Sequence, residues 1–372
     1  MVGLEKVFKN KDFEVIHIEK ISESHLDDLL GNKIIEWVFT YNFEPGFAEI
    51  CIKYSVVYLS WIVDWPHPHI YAKVANNSNI FIFIFDQIGY YEACARGMKN
   101  VFYLPLAADI DYFETVINSA EENTKKRFEA DVSFMGNLYD AKEHNLYDRI
   151  NYFPPLVKGY LDGIMNAQKK VWGYTFVKEA IRDEMWREIH KYIQWDLGDK
   201  YESVYEVLFE RMLCEKIAQE ERKEMCSLLA EKYQFKLYTK SNTGFDKNIN
   251  NCGAIDYFHD MPILFNRSKI NMNITLHSIK SGIPLRCLDI MACGGFLMSN
   301  YQAELAEYFV NGEELILWED FDDMLRKIDY YLAHEEERKK IAEAGKKKVK
   351  QLFHYEILIE QMINQVESSM EV

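Results

Sequence analysis

The chain has 372 residues, 48% of them hydrophobic and 27% charged, which excludes a disordered polypeptide and leaves room for two domains with a core each. Its formal net charge of −16 excludes a general nucleic-acid binder, which needs clustered lysine and arginine, but not a site for one phosphate-bearing ligand. The longest apolar run, residues 80–85, is far too short to span a bilayer.

In chain order, continuous apolar or β-branched runs predict strands at 13–18, 34–41, 56–63, 80–85 and 101–106. Helix-like stretches lie between them, such as 87–97, which closes on a glycine. Strand and helix alternation implies a parallel, doubly wound α/β sheet. The chain opens on what reads as the first helix and second strand of such a domain, so this domain is expected to be shortened. The polar segment 116–130 reads as the inter-domain connection. A strand at 131–135 follows, ending in Gly136-Asn137. Residues 145–232 then show helical periodicity and form a helical insertion in the second domain. The strand series resumes at 235–239, with a weaker segment at 254–259, then 269–275, 296–299 and 314–318. The tail reads as helical to the end, broken at Gly345. Its Lys346–Lys350 cluster reads as a solvated face.

Residues 268–300, SKINMNITLHSIKSGIPLRCLDIMACGGFLMSN, carry the strongest functional signal. A strand-like run enters a loop with a glycine and a proline, and a helix follows. The unpaired N–H groups and the dipole at such a helix start favour an anion. Arg286 stands there, where a guanidinium can pair with phosphate oxygens. Asp289 lies one turn on, placed to accept from ribose hydroxyls. This is the layout of a nucleotide-diphosphate site. His277 and Lys280, in the same loop, and Lys240, after the strand 235–239, are further candidates for the donor phosphates or sugar. Asp64 ends the run VVYLSWIVD, and a carboxylate at a strand's carboxyl end can take a hydroxyl proton. His67 and His69 lie close by and could act as bases near neutral pH.

Several segments together resemble the spore-maturation-type (CgeB-like) branch of the group-1 glycosyltransferases. In the C-terminal half they are SFMGNLYD (133–140), KINMNIT (269–275), PLRCLDIMACGGFLMS (284–299) and the tail DDMLRKIDYYLAHEEERKKIAEAGKKKV. In the N-terminal half, YLSWIVDWPHP (58–68), FIFIFDQ (81–87) and VFYLPLAADIDYF (101–113) resemble a domain of unknown function often fused ahead of it. No single motif is specific; their order and spacing are.

The resemblance implies a GT-B fold, two Rossmann-like domains facing a cleft. The N-terminal, acceptor-side domain would span 1–129 and the nucleotide-sugar domain 130–350. A last helix, 351–372, would pack back on the first domain. Asp289 matches an acidic residue that contacts the ribose, and the backbone of Gly282 to Leu285, which includes Ile283, matches the diphosphate loop, with Arg286 the first choice for the positive charge that takes the place of a metal. Gly136 and Asn137 match a glycine turn beside the phosphates. Asp64 matches the region of a catalytic or sugar-contacting residue. The family's first acidic residue should fall at 281, where this chain has Ser281.

The expectation is a hexosyltransferase that moves a sugar from a nucleoside-diphosphate sugar to an acceptor hydroxyl, with no cofactor and no metal. The resemblance ranks a bacterial surface protein or a cell-surface glycan as acceptor. Ser281 and the shortened first domain favour the rival reading, a catalytically degenerate binding or assembly module. A third reading is an epimerase or hydrolase acting on the nucleotide sugar itself. Seven scattered cysteines without a CxxC pair, and no apparent signal peptide, point to the cytoplasm. Peripheral membrane attachment stays open.

Overall fold

The computed structural model describes residues 2–11, 13–141, 143–150, 152–193, 195 and 204–370. The chain folds as two compact units, one of residues 1–106, 195–209 and 355–372, the other of 107–194 and 210–354. No helix among the described residues is long and apolar enough to cross a membrane.

The first unit holds four parallel strands, β1 (Trp37–Tyr41), β2 (Val57–Ile62), β3 (Ile80–Ile84) and β4 (Val101–Tyr103), in the order β1-β2-β3-β4. Each strand pairs with its predecessor in the chain, so the sheet has no reversal of strand order. β2 and β3 are buried along their whole length, which explains their unbroken apolar sequence. Side chains alternate between the faces of the sheet. On one face Phe39 meets Phe8 of the helix Val2–Asn10, and Trp61 meets Tyr355 of the helix Tyr355–Met370. On the other, Tyr58 stacks on Phe43, just ahead of the helix Pro45–Lys53.

The run 13–18 is not a strand. Phe13 anchors it by packing on Phe8 and Trp37, while Ile16 and Ile18 stay exposed. Strand propensity without a partner edge does not make a strand. The helix expected at 87–97 spans Gln87–Ala95, started by Asp86, whose carboxylate accepts from Gly89 N at 2.7 Å.

The second unit holds β5 (Ala130–Met135), β6 (Phe235–Tyr238), β7 (Ser268–Asn273), β8 (Leu297–Asn300) and β9 (Ile316–Trp318). All pairs are parallel and the order is β6-β5-β7-β8-β9. The order reverses at β5, so β5 and β7 flank a topological switch point, where open α/β sheets bind ligands outside the strands' carboxyl ends. Val132, Phe134, Ile270, Met272, Met298 and Trp318 build its core. Between β5 and β6 lies the helical insertion, with helices Pro155–Gln168, Asp183–Ile189 and Tyr205–Lys232. The segment 116–130 is mostly helical, in Ile110–Ser119 and Glu122–Arg127.

Two expectations fail here. Residues 254–259 form no strand: Asp256 turns the chain by accepting from the backbone N–H of Phe258 and His259, at 2.8 Å each. Gly345 does not break the tail; it lies inside the helix Glu335–Leu352. A Cβ there would stand 2.4 Å from the Glu314 carbonyl, so this glycine serves packing. The lysine cluster is tied to carboxylates, with Lys346 2.9 Å from Glu114. After the helix Leu285–Ala292, Gly294 takes φ 72° and closes the helix end, its N–H donating to Met291 O.

Candidate active site

The chemistry gathers at the carboxyl ends of β5 and β7. β5 ends at Met135 and the chain turns at Gly136-Asn137. A Cβ on Gly136 would lie 3.1 Å from Arg286 Nη2, so a side chain there would push the guanidinium back by a few tenths of an ångström. The Asn137 side chain accepts from Tyr139 N at 2.7 Å, which shapes the turn. β7 leads into the loop 274–284, and Pro284 precedes the helix Leu285–Ala292. Pro284 has no N–H, so the helix start presents those of Leu285 and Arg286.

Arg286 is half-buried in the first turn of that helix, with its guanidinium 5.6 Å from the Phe134 ring centroid. Among the described residues it makes no hydrogen bond and no ion pair. Burial, and then the neighbouring charge of Arg222, push it down to about 10, so it stays cationic at neutral pH. Arg222 comes from the helical insertion and is 3% exposed. It donates to Asn137 O at 2.6 Å and Ile274 O at 2.8 Å, tying the ends of β5 and β7 together. Its guanidinium lies over Tyr139 at 4.8 Å and Phe134 at 5.6 Å. Two cations thus share one phenylalanine ring, and neither has an ion-pair partner among the described residues.

Arg222 was absent from the sequence candidates, although a signal existed. Ala218, Arg222, Met225 and Leu229 are all buried at helical spacing, so an arginine sits on an otherwise apolar stripe.

Asp289 is 3% exposed. Its Oδ2 accepts from Tyr257 OH at 2.9 Å, while Oδ1 is buried with no partner among the described residues. Burial pushes its carboxyl up to about 7, against the opposing pull of Tyr257 and Arg286. One carboxylate oxygen is thereby left for a hydroxyl donor.

His277 and Lys280 are engaged by the protein. The His277 ring stacks on Trp172 at 4.9 Å, and its Nε2 lies 2.9 Å from Glu221 Oε1. Its Nδ1 is 3.3 Å from Gln168 Nε2, and Thr175 Oγ1 donates to its carbonyl. Lys280 Nζ stands 3.5 Å from Glu210. The helical insertion therefore grips this loop. Ser281 donates to Glu304 Oε1 at 2.7 Å, and Gly282 and Ile283 are buried beside it. Lys240 is exposed and follows β6, which lies on the side of β5 away from β7; its neighbour Ser241 accepts from Leu138 N and donates to Asn137 Oδ1 in the turn after β5.

In the first unit, exposed Asp64 lies just beyond β2. Asn42 Nδ2 donates to Asp64 Oδ2 at 2.7 Å. His67 Nε2 lies 2.9 Å from Phe43 O, and the His67 and His69 rings are 5.2 Å apart.

Several solved structures share this arrangement of elements. A UDP-forming α,α-trehalose-phosphate synthase from Burkholderia xenovorans is 11% identical, matched over 94% of this chain and 77% of its own, with a TM-score of 0.51. Anabaena HepE, in a complex with UDP-glucose, is 8% identical over 98% of this chain and 88% of its own, with a TM-score of 0.50. No curated protein sequence matches the chain. Residues 216–364, which include Arg222, Arg286 and Asp289, match the family described as glycosyl transferase-like. That stretch is similar to the glycosyl transferase-like family, and the chain as a whole has the GT-B fold of two parallel-sheet α/β units.

Proposed function

We propose that the protein transfers a sugar, of hexose type, from a nucleoside-diphosphate sugar to an acceptor hydroxyl. One observation carries this reading: Arg286 and Arg222 stand together at the switch point with no ion pair to either among the described residues, and burial holds the nearby Asp289 carboxyl toward its neutral form. Like charges held this way repel each other, and a ligand with two adjacent phosphates relieves that repulsion. Gly136, Asn137 and the first N–H groups of the Leu285–Ala292 helix would line the same diphosphate. Asp289 Oδ1 would accept from a ribose hydroxyl. His277 and Lys280 would act by holding the loop, and Lys240 would stay outside the site.

In the transfer, the acceptor oxygen bonds to the anomeric carbon while the bond to the diphosphate breaks. The bonding electrons leave with the diphosphate, where Arg286 meets the growing charge. Asp64 would receive the acceptor's proton. The arginines supply the charge a metal would otherwise bring, so the reading includes metal independence. A surface protein or cell-surface glycan as acceptor rests on the family resemblance. The compartment in this reading is the cytoplasm, in keeping with the free cysteines of the described chain.

A thermal-shift screen with UDP-, GDP-, dTDP-, CDP- and ADP-sugars tests it, with and without EDTA. UDP-glucose comes first, because the structurally similar HepE is described with it. At least one donor should raise the melting temperature of the wild type equally in both conditions. Arg286→Ala should weaken that donor by about 1.5–3 kcal/mol, the range for hydrogen bonds to charged groups. Silence from every donor would sink the reading, and a shift abolished by EDTA would sink its metal-free form.

A further inference from the structure

We propose that Asn42 is a positioning residue, one that aims the Asp64 carboxylate at its hydroxyl substrate. The inference rests on the reading of Asp64 as the proton acceptor. Asn42 follows β1 directly and takes φ 59°, a left-handed conformation that asparagine tolerates better than other side-chain-bearing residues. Its backbone is fixed on both sides: Asn42 N donates to Trp61 O at 2.9 Å, and Thr40 Oγ1 donates to Asn42 O at 2.8 Å. That turn throws the side chain across to the end of β2.

There Asn42 Oδ1 accepts from Val63 N at 3.0 Å and Asp64 N at 3.1 Å, while Nδ2 donates to Asp64 Oδ2 at 2.7 Å. One amide thus holds both the backbone and the carboxylate of Asp64. The adjoining residue is tied too, since Phe43 N donates to His67 Nε2 at 3.2 Å. Asp64 is an exposed residue, and its Oδ1 makes no hydrogen bond among the described residues. The carboxylate is therefore pinned by one oxygen and open at the other, the geometry a proton acceptor needs. An exposed aspartate with no task beyond solubility has no use for two converging bonds from a neighbouring strand end. Asparagine is the residue that combines the left-handed turn, the acceptor and the donor. Glu44, His67 and His69 are the other titratable groups on these two loops.

The test measures nucleotide release from UDP-glucose and the other four donor classes, with water as the acceptor. Wild type, Asp64→Asn, Asn42→Gly and Asn42→Asp are compared, with thermal melting as a check on folding. Asn42→Gly keeps the left-handed backbone and removes the amide. It should lower kcat about 10- to 100-fold with donor KM unchanged, the scale expected for a misplaced catalytic group. Asn42→Asp keeps both accepted bonds and loses only the donated one. Its new carboxyl can donate to Asp64 only when it carries a proton, so its activity optimum should move to lower pH than that of the wild type. A purely structural role would leave the optimum in place. If Asp64→Asn abolishes release while Asn42→Gly retains wild-type kcat, or Asn42→Asp keeps the wild-type optimum, the positioning role is overturned and the reading of Asp64 survives. If Asp64→Asn matches wild type, or wild type releases nucleotide from no donor, that reading falls and this inference falls with it.

Discussion

At the scale of single residues, the site is set by charges kept away from their usual partners. Asp289 is the clearest case. Its carboxyl is held up at about 7 by burial, against 3.8 for the unperturbed group. Between those values the folded protein keeps a proton that the unfolded chain has released. The stabilisation is complete below the unfolded value and disappears as pH rises through about 7. Its slope within the window is at most about 1.4 kcal/mol per pH unit. Urea unfolding at a series of pH values should show wild type losing stability relative to Asp289→Asn across this window; parallel curves would contradict the assignment. A ribose hydroxyl donating to Oδ1 favours the ionised form. Nucleotide affinity should therefore rise with pH through about 7 in wild type and lose that dependence in Asp289→Asn.

At the scale of elements, the helical insertion reaches the switch point with two adjacent residues. Glu221 meets His277 in the loop after β7, and Arg222 ties that strand's end to the end of β5. His277→Ala would remove the ring from Trp172 and leave a buried carboxylate alone. It should cost about 3–5 kcal/mol in urea unfolding, as expected when one partner of a buried pair is lost. Lys240→Ala should change stability by less than about 0.5 kcal/mol and leave nucleotide affinity unaltered. An equal cost for the two variants would refute the grip assigned to the insertion. These two residues also show what sequence can and cannot supply. Lys240 is a candidate because it follows a strand and His277 because it shares the loop before Gly282, but the partners that fold against each side chain are invisible in a single chain. All nine strands among the described residues fall on runs legible in the sequence, because those runs are rich in apolar and β-branched residues. Residues 13–18 carry the same composition but have no partner edge, and an Asp256 turn overrides the weak apolar pattern at 254–259. Arg286 and Asp289 could be found because a loop-to-helix junction has a local signature. Arg222 needed its buried stripe to be read as an anomaly, and Asn42 needed the pairing of β1 with β2.

At the scale of the whole molecule, the first unit borrows its last part from the far end of the chain. Tyr355 packs on Trp61 and its hydroxyl lies 3.2 Å from that of Tyr41, while Lys11 reaches Glu360 at 2.6 Å. A chain stopped after His354 should lose amide-exchange protection in β1 and β2, as read by mass spectrometry. Strands β5 to β9 should keep theirs. Unchanged protection in β1 and β2 would show that the closing helix is dispensable.

This layout has a consequence for synthesis. Strands β1 to β4 pair in the order in which they leave the ribosome, so each closes only a short loop and can pair while the rest is being made. The face around Tyr41 and Trp61 nevertheless stays uncovered until residues 355–370 emerge, more than 250 positions after β4. The unit translated first is the one completed last. For that interval a nascent sheet shows aromatic surface to the cell, and chaperone demand should fall on the first hundred residues more than on the second unit that follows them.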